Sequence, residues 1–415
     1  MSPTLYLRLW TMVFLHYFVW GAWYVTMSTY LSKTLEFKGE QVGLAYGTTA
    51  LGALLSPFIV GIIADRFFAT QRILGCLHLI GAALLYYVST LKDFGQFYPA
   101  LIAYTVTYMA GHGLTNSLTL QQAKNPAKEF PIVMVMASVG WIVAGLVVSW
   151  LKLEDSAGMF QLAAGAALVM GLYSFTLPHT PPRGANQPVS LGTLLGFDAL
   201  NLLRDRAFAT FMICSFLICI PLSFYFTWMN AFMTELGIEN AAAKMTLGQV
   251  SDVVFLLLLP FLLPYLGVKG VLLVGIGAWA VRFAIFWTFA SQPSATWLLY
   301  LGICLHGMCY DFVFVMGRMY VDKRAGVEMR AAAQGLHALV TLGAGMFIGS
   351  WLSGVVGERY ANGSIHNWQG IWLVPAAMSA VLAVVFAIFF REPKQPPETL
   401  PSKAVAPAID TPVSA

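Results

Sequence analysis

Two carboxylates lie where a sequence rich in Leu, Val and Phe should exclude water. Asp252 precedes a run of leucines in "GQVSDVVFLLLLP" (248–260), and Asp311 lies in "LHGMCYDFVF" (305–314). A charge at the middle of a membrane costs about 2.5–3.5 kcal/mol on insertion scales, so such residues usually face a cavity or a partner. A carboxyl group that takes up a proton on one side of a membrane and releases it on the other is what a proton-coupled carrier requires. A structural ion pair or a hydrogen bond between packed helices is the alternative role for each residue.

Polar side chains accompany both carboxylates at helical spacing. Gln249 lies three residues before Asp252, so both project from one face of a helix. An amide beside a carboxylate offers several donors and acceptors to a polyol or to the edge of a heterocycle. His306 and Tyr310 are four residues apart and share a face next to Asp311. These residues therefore suit substrate or proton handling, with a packing role as an equal alternative for the histidine.

The composition of the 415-residue chain indicates an integral membrane protein. It is 58% hydrophobic and 10% charged, with a mean hydropathy of +0.72, whereas a soluble domain carries about 25% charged residues. The apolar segments hold no nucleophile–base set, metal-ligand cluster or phosphate-binding glycine loop, and the five cysteines within them lack metal or redox spacing. We therefore expect no enzyme activity, no metal and no cofactor other than a coupling proton. The net charge of +4 is better explained by membrane orientation than by nucleic-acid binding.

The apolar segments predict an all-α membrane protein of about twelve transmembrane helices, the first of them an uncleaved N-terminal span. The predicted spans are 5–31, 41–63, 72–91, 97–120, 131–152, 159–177, 208–234, 246–266, 268–289, 295–321, 329–355 and 369–391. If both termini are cytoplasmic, about 16 of the 23 Lys and Arg residues lie on the cytoplasmic side, as the positive-inside rule requires.

A six-plus-six division around a central loop predicts two helical bundles. The expected parts are an N-terminal six-helix bundle (1–177), a cytoplasmic central loop (178–207), a C-terminal six-helix bundle (208–391) and a disordered cytoplasmic tail (392–415). Within the central loop, "LGTLLGFDALNLLRD" is expected to form a short helix at the membrane surface.

A charged pair follows the second predicted span. Asp65 and Arg66 lie in "GIIADRFFATQR" (61–72), where the chain turns into the third span. Charged side chains at a helix end engage the charges and dipole of a neighbouring helix. We expect this pair to act as a gate latch.

Several short motifs resemble those of known permeases. The "GxxADR" pattern between the second and third spans resembles the loop signature of the major facilitator superfamily. The nucleoside:proton symporter family within it is similar in "FVWGAW" (18–23), "DRFFA" (65–69), "LTNS" (114–117), "EFP" (129–131), "GQVSD" (248–252), "LHGMCYDF" (305–312), "YVDK" (320–323) and "AAAQG" (331–335). The order and spacing of these strings, from the first span to the twelfth, carry the resemblance.

The resemblance implies alternating access around a central cavity lined by the fifth, seventh, eighth and tenth spans. The positions that match the lining residues of the family are Ser138, Trp141, Ser223, Phe226, Gln249, Asp252, His306, Tyr310 and Asp311. Gln249 and Asp252 match a Gln and an acidic residue that hold the nucleoside. We expect Asp252 to handle both proton and substrate, with Asp311 as the second candidate for proton coupling.

This sequence departs from the family pattern on the fifth and seventh spans. Where the family usually has an arginine, "MVMASVGW" has Met134, and two polar contacts of the seventh span are replaced by Ser223 and Phe226. Without the arginine, Asp311 is expected to lack a cationic partner and to be largely neutral at rest. A more apolar or differently shaped glycoside becomes an alternative to a nucleoside.

We therefore predict a major facilitator permease of the bacterial inner membrane that imports a nucleoside or nucleoside-like solute by proton symport. It would act as a monomer in the lipid bilayer and would not bind nucleic acid. The alternatives are a sugar or glycoside uniporter or exporter of the same fold, or a sensor that binds a solute without moving it.

Overall fold

The computed structural model describes residues 1–59, 69–181, 197–363 and 365–391, and these are almost wholly helical. A helix satisfies its own backbone hydrogen bonds, which a chain surrounded by lipid requires. The helices before residue 178 are α1 (Pro3–Tyr24), α2 (Gly39–Ile59), α3 (Thr70–Thr90), α4 (Phe94–Gln122), α5 (Pro126–Trp150) and α6 (Gly158–Ser174). Those after residue 205 are α7 (Arg206–Glu235), α8 (Ala241–Ser291), α9 (Thr296–Cys304), α10 (His306–Tyr310), α11 (Met316–Ala338), α12 (Met346–Arg359) and α13 (Trp368–Phe389).

Shorter elements extend or connect these helices. A helical turn (Met27–Thr29) and a π-helical turn (Tyr30–Thr34) follow α1, and further π-helical turns lie at Asp311–Val315 and Leu339–Gly345. The segment expected to form a short surface helix contains a 3₁₀-helix at Phe197–Arg204. Two short antiparallel strands, Ala361–Asn362 and Ile365–His366, pair between α12 and α13.

Two glycines bend long helices where the sequence predicts boundaries between spans. Gly267 bends α8 with φ 63° and ψ 176°, and Gly326 bends α11 with φ 70° and ψ 178°. This combination of angles is essentially restricted to glycine. The predicted boundary between spans 246–266 and 268–289 therefore coincides with the bend in α8.

Seven helical stretches among the described residues are long and apolar enough to cross a membrane. They are Thr70–Thr90, Lys128–Trp150, Arg206–Glu235, Ala241–Ser291, Thr296–Gly326, Met329–Arg359 and Trp368–Phe389. The mean hydropathy of helices α1, α2 and α4 is lower because these helices carry Trp, Tyr, His and Thr residues. The total of twelve spans stays a prediction.

Some predicted features lie outside the described residues. These are Asp65 and Arg66, most of the central loop (182–196) and the tail 392–415.

The first six helices contact the later helices through α2 on α12 and α5 on α8. The α2–α12 crossing depends on glycine: a Cβ atom at Gly43 would lie 2.3 Å from the Ser350 carbonyl oxygen, and one at Gly354 would lie 2.5 Å from the Gly39 carbonyl oxygen. Because only a hydrogen atom fits there, the two backbones approach closely, as small residues allow in membrane helices.

The outer surface of α8 is apolar and unburied. Leu257 is 66% exposed, and Phe261 and Tyr265 are exposed beside it. In a membrane protein such a surface contacts lipid. Three of the leucines that follow Asp252, namely Leu256, Leu257 and Leu258, therefore face away from the interior, whereas Leu259 is buried.

Candidate functional site

A cavity of about 510 Å³ lies between the first six helices and the later ones. This volume falls within the range of about 300–1,000 Å³ that is typical of small-molecule sites. Its lining is mostly aromatic and aliphatic, with a few polar groups. The polar and aromatic lining residues are Tyr17, Trp20, Tyr24, Thr49, Ser56, His112, Ser138, Trp141, Phe226, Gln249, Asp252, His306, Tyr310 and Phe314.

Most of the residues predicted for the site line this cavity. They are Ser138, Trp141, Phe226, Gln249, Asp252, His306 and Tyr310. Ser223 and Asp311 do not line it. Ser223 is fully buried and its hydroxyl donates to the Cys219 carbonyl at 2.9 Å. Asp311 is 4% exposed and begins a π-helical turn directly after Tyr310.

Close packing of α8 on α10 positions Gln249 and Asp252. A Cβ atom at Gly307 would lie 2.4 Å from the Ser251 carbonyl oxygen, so the two helices touch at their backbones. The amide of Gly307 donates to the Ser251 hydroxyl at 2.9 Å. A Cβ atom at Gly248 would lie 3.2 Å from the Cβ atom of His306. This crossing places the Asp252 carboxyl of α8 beside the His306 and Tyr310 rings of α10.

A buried arginine stands behind the cavity wall. Arg282 of α8 is 0% exposed, donates from Nε to the Gly302 carbonyl at 2.8 Å, and lies 3.8 Å from the ring centroid of Tyr225. Its Nη1 is 2.8 Å from Nδ1 of His306. A guanidinium group only donates hydrogen bonds, so Nδ1 accepts. The ring proton of a neutral His306 is therefore on Nε2, which makes this cavity-lining ring a donor.

Arg282 is not among the residues that the sequence predicts for the site. A single arginine within the apolar stretch 268–289 was itself the signal, because an intramembrane charge without function is rare. Met134, at the family's arginine position, packs with the apolar cluster around Leu9 and Met12. The arginine that contacts the cavity-lining His306 thus comes from α8.

Three buried atoms of ionisable groups near the cavity have no hydrogen-bond partner within the described parts of the chain: Oδ1 of Asp252, Oδ2 of Asp311 and Nη2 of Arg282. Buried unpartnered polar atoms are costly, and a site that keeps them uses them for a ligand, an ion or water. Arg282 and Asp311 are both within electrostatic range of Asp252. Arg318 is within electrostatic range of Asp311, but no ion pair joins the two within the described residues, so the expectation that Asp311 lacks a cationic partner stays a prediction.

Aromatic rings form the opposite wall. Trp20 and Trp141 meet edge to face at 5.3 Å, Tyr24 lies 6.1 Å from Trp141, and Phe226 lies 5.6 Å from Tyr24. Such rings offer a stacking surface to a planar ligand. The cavity therefore combines an aromatic wall with a carboxyl, an amide and an imidazole donor.

One end of the cavity is closed by hydrogen bonds. Within the described residues, every hydrogen bond between the first six helices and the later ones lies at the end where α2 and α8 begin and α5 and α12 end. The pairs are Thr29 with Asn230, Gly39 with Glu358, Glu40 with Trp351, Ser149 with Ala243 and Glu154 with Ala242. In the last pair a carboxylate accepts from the N-terminus of a helix, where its charge is favourable.

The fold and the central cavity define a secondary transporter of the major facilitator superfamily. The family model described as nucleoside H⁺ symporter matches residues 3–395, and the chain belongs to this family. It is 41% identical to the putative nucleoside transporter YegT of Escherichia coli over 92% of both chains. It is 32% identical to the xanthosine permease of Escherichia coli, over 96% of this chain and 99% of the permease. A crystal structure of the nucleoside transporter NupG superposes with a TM-score of 0.85 and 31% identity, covering 95% of this chain and all of that one.

These comparisons confirm three predictions: the family resemblance, the major facilitator fold, and a transporter instead of an enzyme. The protein is a multi-span membrane transporter. The roles of the individual cavity residues stay predictions.

Proposed function

We propose that the protein imports a nucleoside or a close relative across the bacterial inner membrane by proton symport. The observation that carries this proposal is the position of Asp252, which lines a cavity with an aromatic wall and has one carboxyl oxygen without a hydrogen-bond partner among the described residues. A proton-coupled carrier needs an ionisable group that the solute and water both reach. Membership of the family supports proton as the coupling ion and a nucleoside as the substrate class.

The cavity residues suit the two parts of a nucleoside. The planar base stacks on the wall formed by Trp20, Trp141 and Phe226. The Gln249 amide and the His306 Nε2–H group bind polar edges, and the Asp252 carboxyl accepts from a hydroxyl of the sugar. Of the predicted binding residues, Ser223 has no support as a direct contact because it is buried outside the lining.

Asp252 takes up the coupled proton in this proposal. A proton from the outer solution binds its carboxylate, and the neutral acid crosses with the solute when the two halves rock. The proton then leaves to the cytoplasm, and Arg282 offsets the negative charge that remains during the return step. A carboxylate returning empty through an apolar cavity without such a cation would be costly.

The two halves 1–177 and 208–391 are the units that move in this proposal. With both termini in the cytoplasm, the hydrogen-bonded end of the cavity faces outward. The structure then corresponds to an inward-facing form, with α2–α12 and α5–α8 closed on the outer side.

Uptake of labelled uridine and adenosine into proteoliposomes, with and without an inward proton gradient, tests the proposal. Accumulation that requires the gradient, and that is lost in Asp252→Asn, is expected. Equal uptake with and without the gradient would identify a uniporter. Binding without exchange of solute would identify a sensor, and no binding by folded protein would move the search to other glycosides.

A further inference from the structure

Two buried histidines and a third that lines the cavity, each from a different helix, form a hydrogen-bonded chain that leads away from the site described above. Nδ1 of His16 (α1) lies 3.0 Å from Nε2 of His78 (α3). Nε2 of His16 lies 3.3 Å from Nδ1 of His112 (α4). His16 is 0% exposed and His78 is 4% exposed. We call these three residues the histidine chain.

The histidine chain reaches the transport cavity at one end. His112 lines the cavity beside Tyr17 and Trp20, whereas His16 and His78 lie behind it. His112 is only partly buried, whereas His16 and His78 are buried. Among the three rings, His112 is therefore the one that the cavity can reach.

The geometry fixes how many protons the histidine chain holds. It has six ring nitrogens, of which four form the two hydrogen bonds and one lies at each end. Three neutral rings carry three protons. Two of these occupy the hydrogen bonds, so one end nitrogen is protonated and the other is bare. A fourth proton added at the bare end leaves both hydrogen bonds intact and spreads one positive charge over three rings.

The surroundings suit a delocalised charge. Tyr108 stacks on His16 at 4.6 Å with an interplanar angle of 5°, and its hydroxyl donates to the His16 carbonyl at 3.0 Å. Tyr17 meets the rings of both His16 and His112 edge to face at 5.5 Å. These two tyrosines are the titratable groups that face the histidine chain from α1 and α4. Within the described residues, no Asp, Glu, Lys or Arg forms a hydrogen bond or an ion pair with the three rings. The aromatic faces are the groups available to stabilise a cation.

A metal ion does not fit this arrangement as well as a proton. A metal site brings its ligand nitrogens to one point. Here His16 uses opposite ring nitrogens for its two neighbours, so the nitrogens follow a line.

We propose that the histidine chain is a second proton-binding site, which takes one proton from the transport cavity through His112 and shares it among three rings. It lies in the first six helices, whereas Asp252 lies on α8. The binding of this proton does not depend on which solute is carried. Its use in transport rests on the proton coupling proposed above.

Nitrogen NMR of the protein with ¹⁵N-labelled histidine rings, in lipid nanodiscs with a chelator, tests the site without any transport assay. The full-length protein is titrated between about pH 4 and pH 8. We expect His16, His78 and His112 to change together at one midpoint, with a single proton bound for the three. Separate midpoints, or no protonation of His16 and His78 where His112 titrates, would overturn the proposal. Stoichiometric Zn²⁺, added without chelator, would also overturn it if it bound all three rings.

Single variants assign the signals and probe the entry point. His112→Gln removes the end of the histidine chain that lies at the cavity. The shared titration midpoint of His16 and His78 should then disappear, or the proton concentration at that midpoint should change by at least tenfold. His366→Gln is the matched control, because His366 pairs with Glu235 away from the chain, and it should leave the midpoint unchanged. An unchanged midpoint in His112→Gln would overturn the proposal. If that variant does not fold, the proposal is still tested by the number of histidine rings that share one titration midpoint in the unmodified protein. A shared midpoint in protein that shows no proton-driven uptake would contradict only the proposed function.

Discussion

Asp252 and Asp311 carry the same functional group at neighbouring sites, and their positions separate their roles. Asp252 lines the cavity, and Asp311 is buried outside the lining with Arg318 in electrostatic range. A proton that moves with a solute must reach its carrier group from the cavity. Asp252 therefore suits coupling, and Asp311 suits the organisation of the π-helical turn beside it.

Asp252→Asn should abolish proton-driven accumulation, because an amide cannot take up the coupled proton. A loss of about 100-fold or more in initial uptake rate is expected, in line with the removal of a proton-transfer group. Exchange of solute at equal pH should persist, since it needs no net proton movement. Asp311→Asn is the matched variant and should change uptake by only about two- to threefold, in the range of a lost hydrogen bond. Wild-type accumulation in Asp252→Asn, or complete loss in Asp311→Asn, would contradict this assignment.

Arg282 is expected to act as a positioning residue for His306. Arg282→Lys keeps the charge but cannot hold both the Gly302 carbonyl and the His306 ring with one planar group. We expect Lys to raise the KM for solute by about tenfold, corresponding to the loss of one good contact, with little change in kcat. Arg282→Gln should lower both uptake and thermal stability.

The split between KM and kcat separates positioning from general destabilisation. A purely structural role would lower the amount of folded protein and leave the KM of the remainder unchanged. Initial rates over a range of solute concentration, normalised to folded protein by size-exclusion chromatography, measure this. An unchanged KM in Arg282→Lys would show that the contact with His306 does not organise the site.

At the scale of the helices, two glycines determine where α8 and α11 bend. Gly267 and Gly326 adopt angles that other residues avoid, and no atom lies within 4 Å of a Cβ added at either position. Their requirement for glycine thus comes from backbone conformation alone and not from crowding.

Gly267→Ala should reduce stability by about 1–3 kcal/mol, the usual cost of a residue held in a sparsely populated region. Gly277→Ala is the control, because it lies in the same helix, also has nothing within 4 Å of an added Cβ, and has no positive φ. It should be neutral or stabilising, as Ala is in helices. Thermal unfolding in detergent, followed by fluorescence-detected size exclusion, compares the two. Equal effects of both substitutions would contradict the role of the bend.

The sequence predicts the helices better than it predicts the site. Long apolar segments report spans directly, and the predicted boundary at residue 267 coincides with the bend at Gly267. Contacts between distant helices leave no such signal. The pairing of Arg282 with His306 depends on the exact rotation of α8 against α10, and the histidine chain joins residues up to 96 positions apart. Ser223 shows the opposite case. Its position matches a cavity-lining position of the family, but its side chain faces a neighbouring helix.

At the scale of the whole molecule, the arrangement of contacts defines one state of a cycle. The hydrogen bonds between the first six helices and the later ones lie at one end of the cavity, within the described residues. Groups that bind at one end only can separate while the helices within each half keep their packing. An alternate state must therefore break the contacts at this end of the cavity, including the glycine contact of α2 with α12.

Gly43→Leu should prevent the closed end from forming and shift the protein toward the form open on that side. A Cβ atom at Gly43 would lie 2.3 Å from the Ser350 carbonyl oxygen, so the two backbones cannot approach. Ser138→Cys, in a variant without the native cysteines, reports the change because Ser138 lines the cavity. Its labelling by an impermeant maleimide from the outside of oriented vesicles should rise by about tenfold, equivalent to about 1.4 kcal/mol. Gly165→Leu, where no atom lies within 4 Å of an added Cβ, should leave the labelling rate unchanged. A rise seen only from the inside would reverse the proposed orientation, and no rise from either side would show that the α2–α12 contact does not control access.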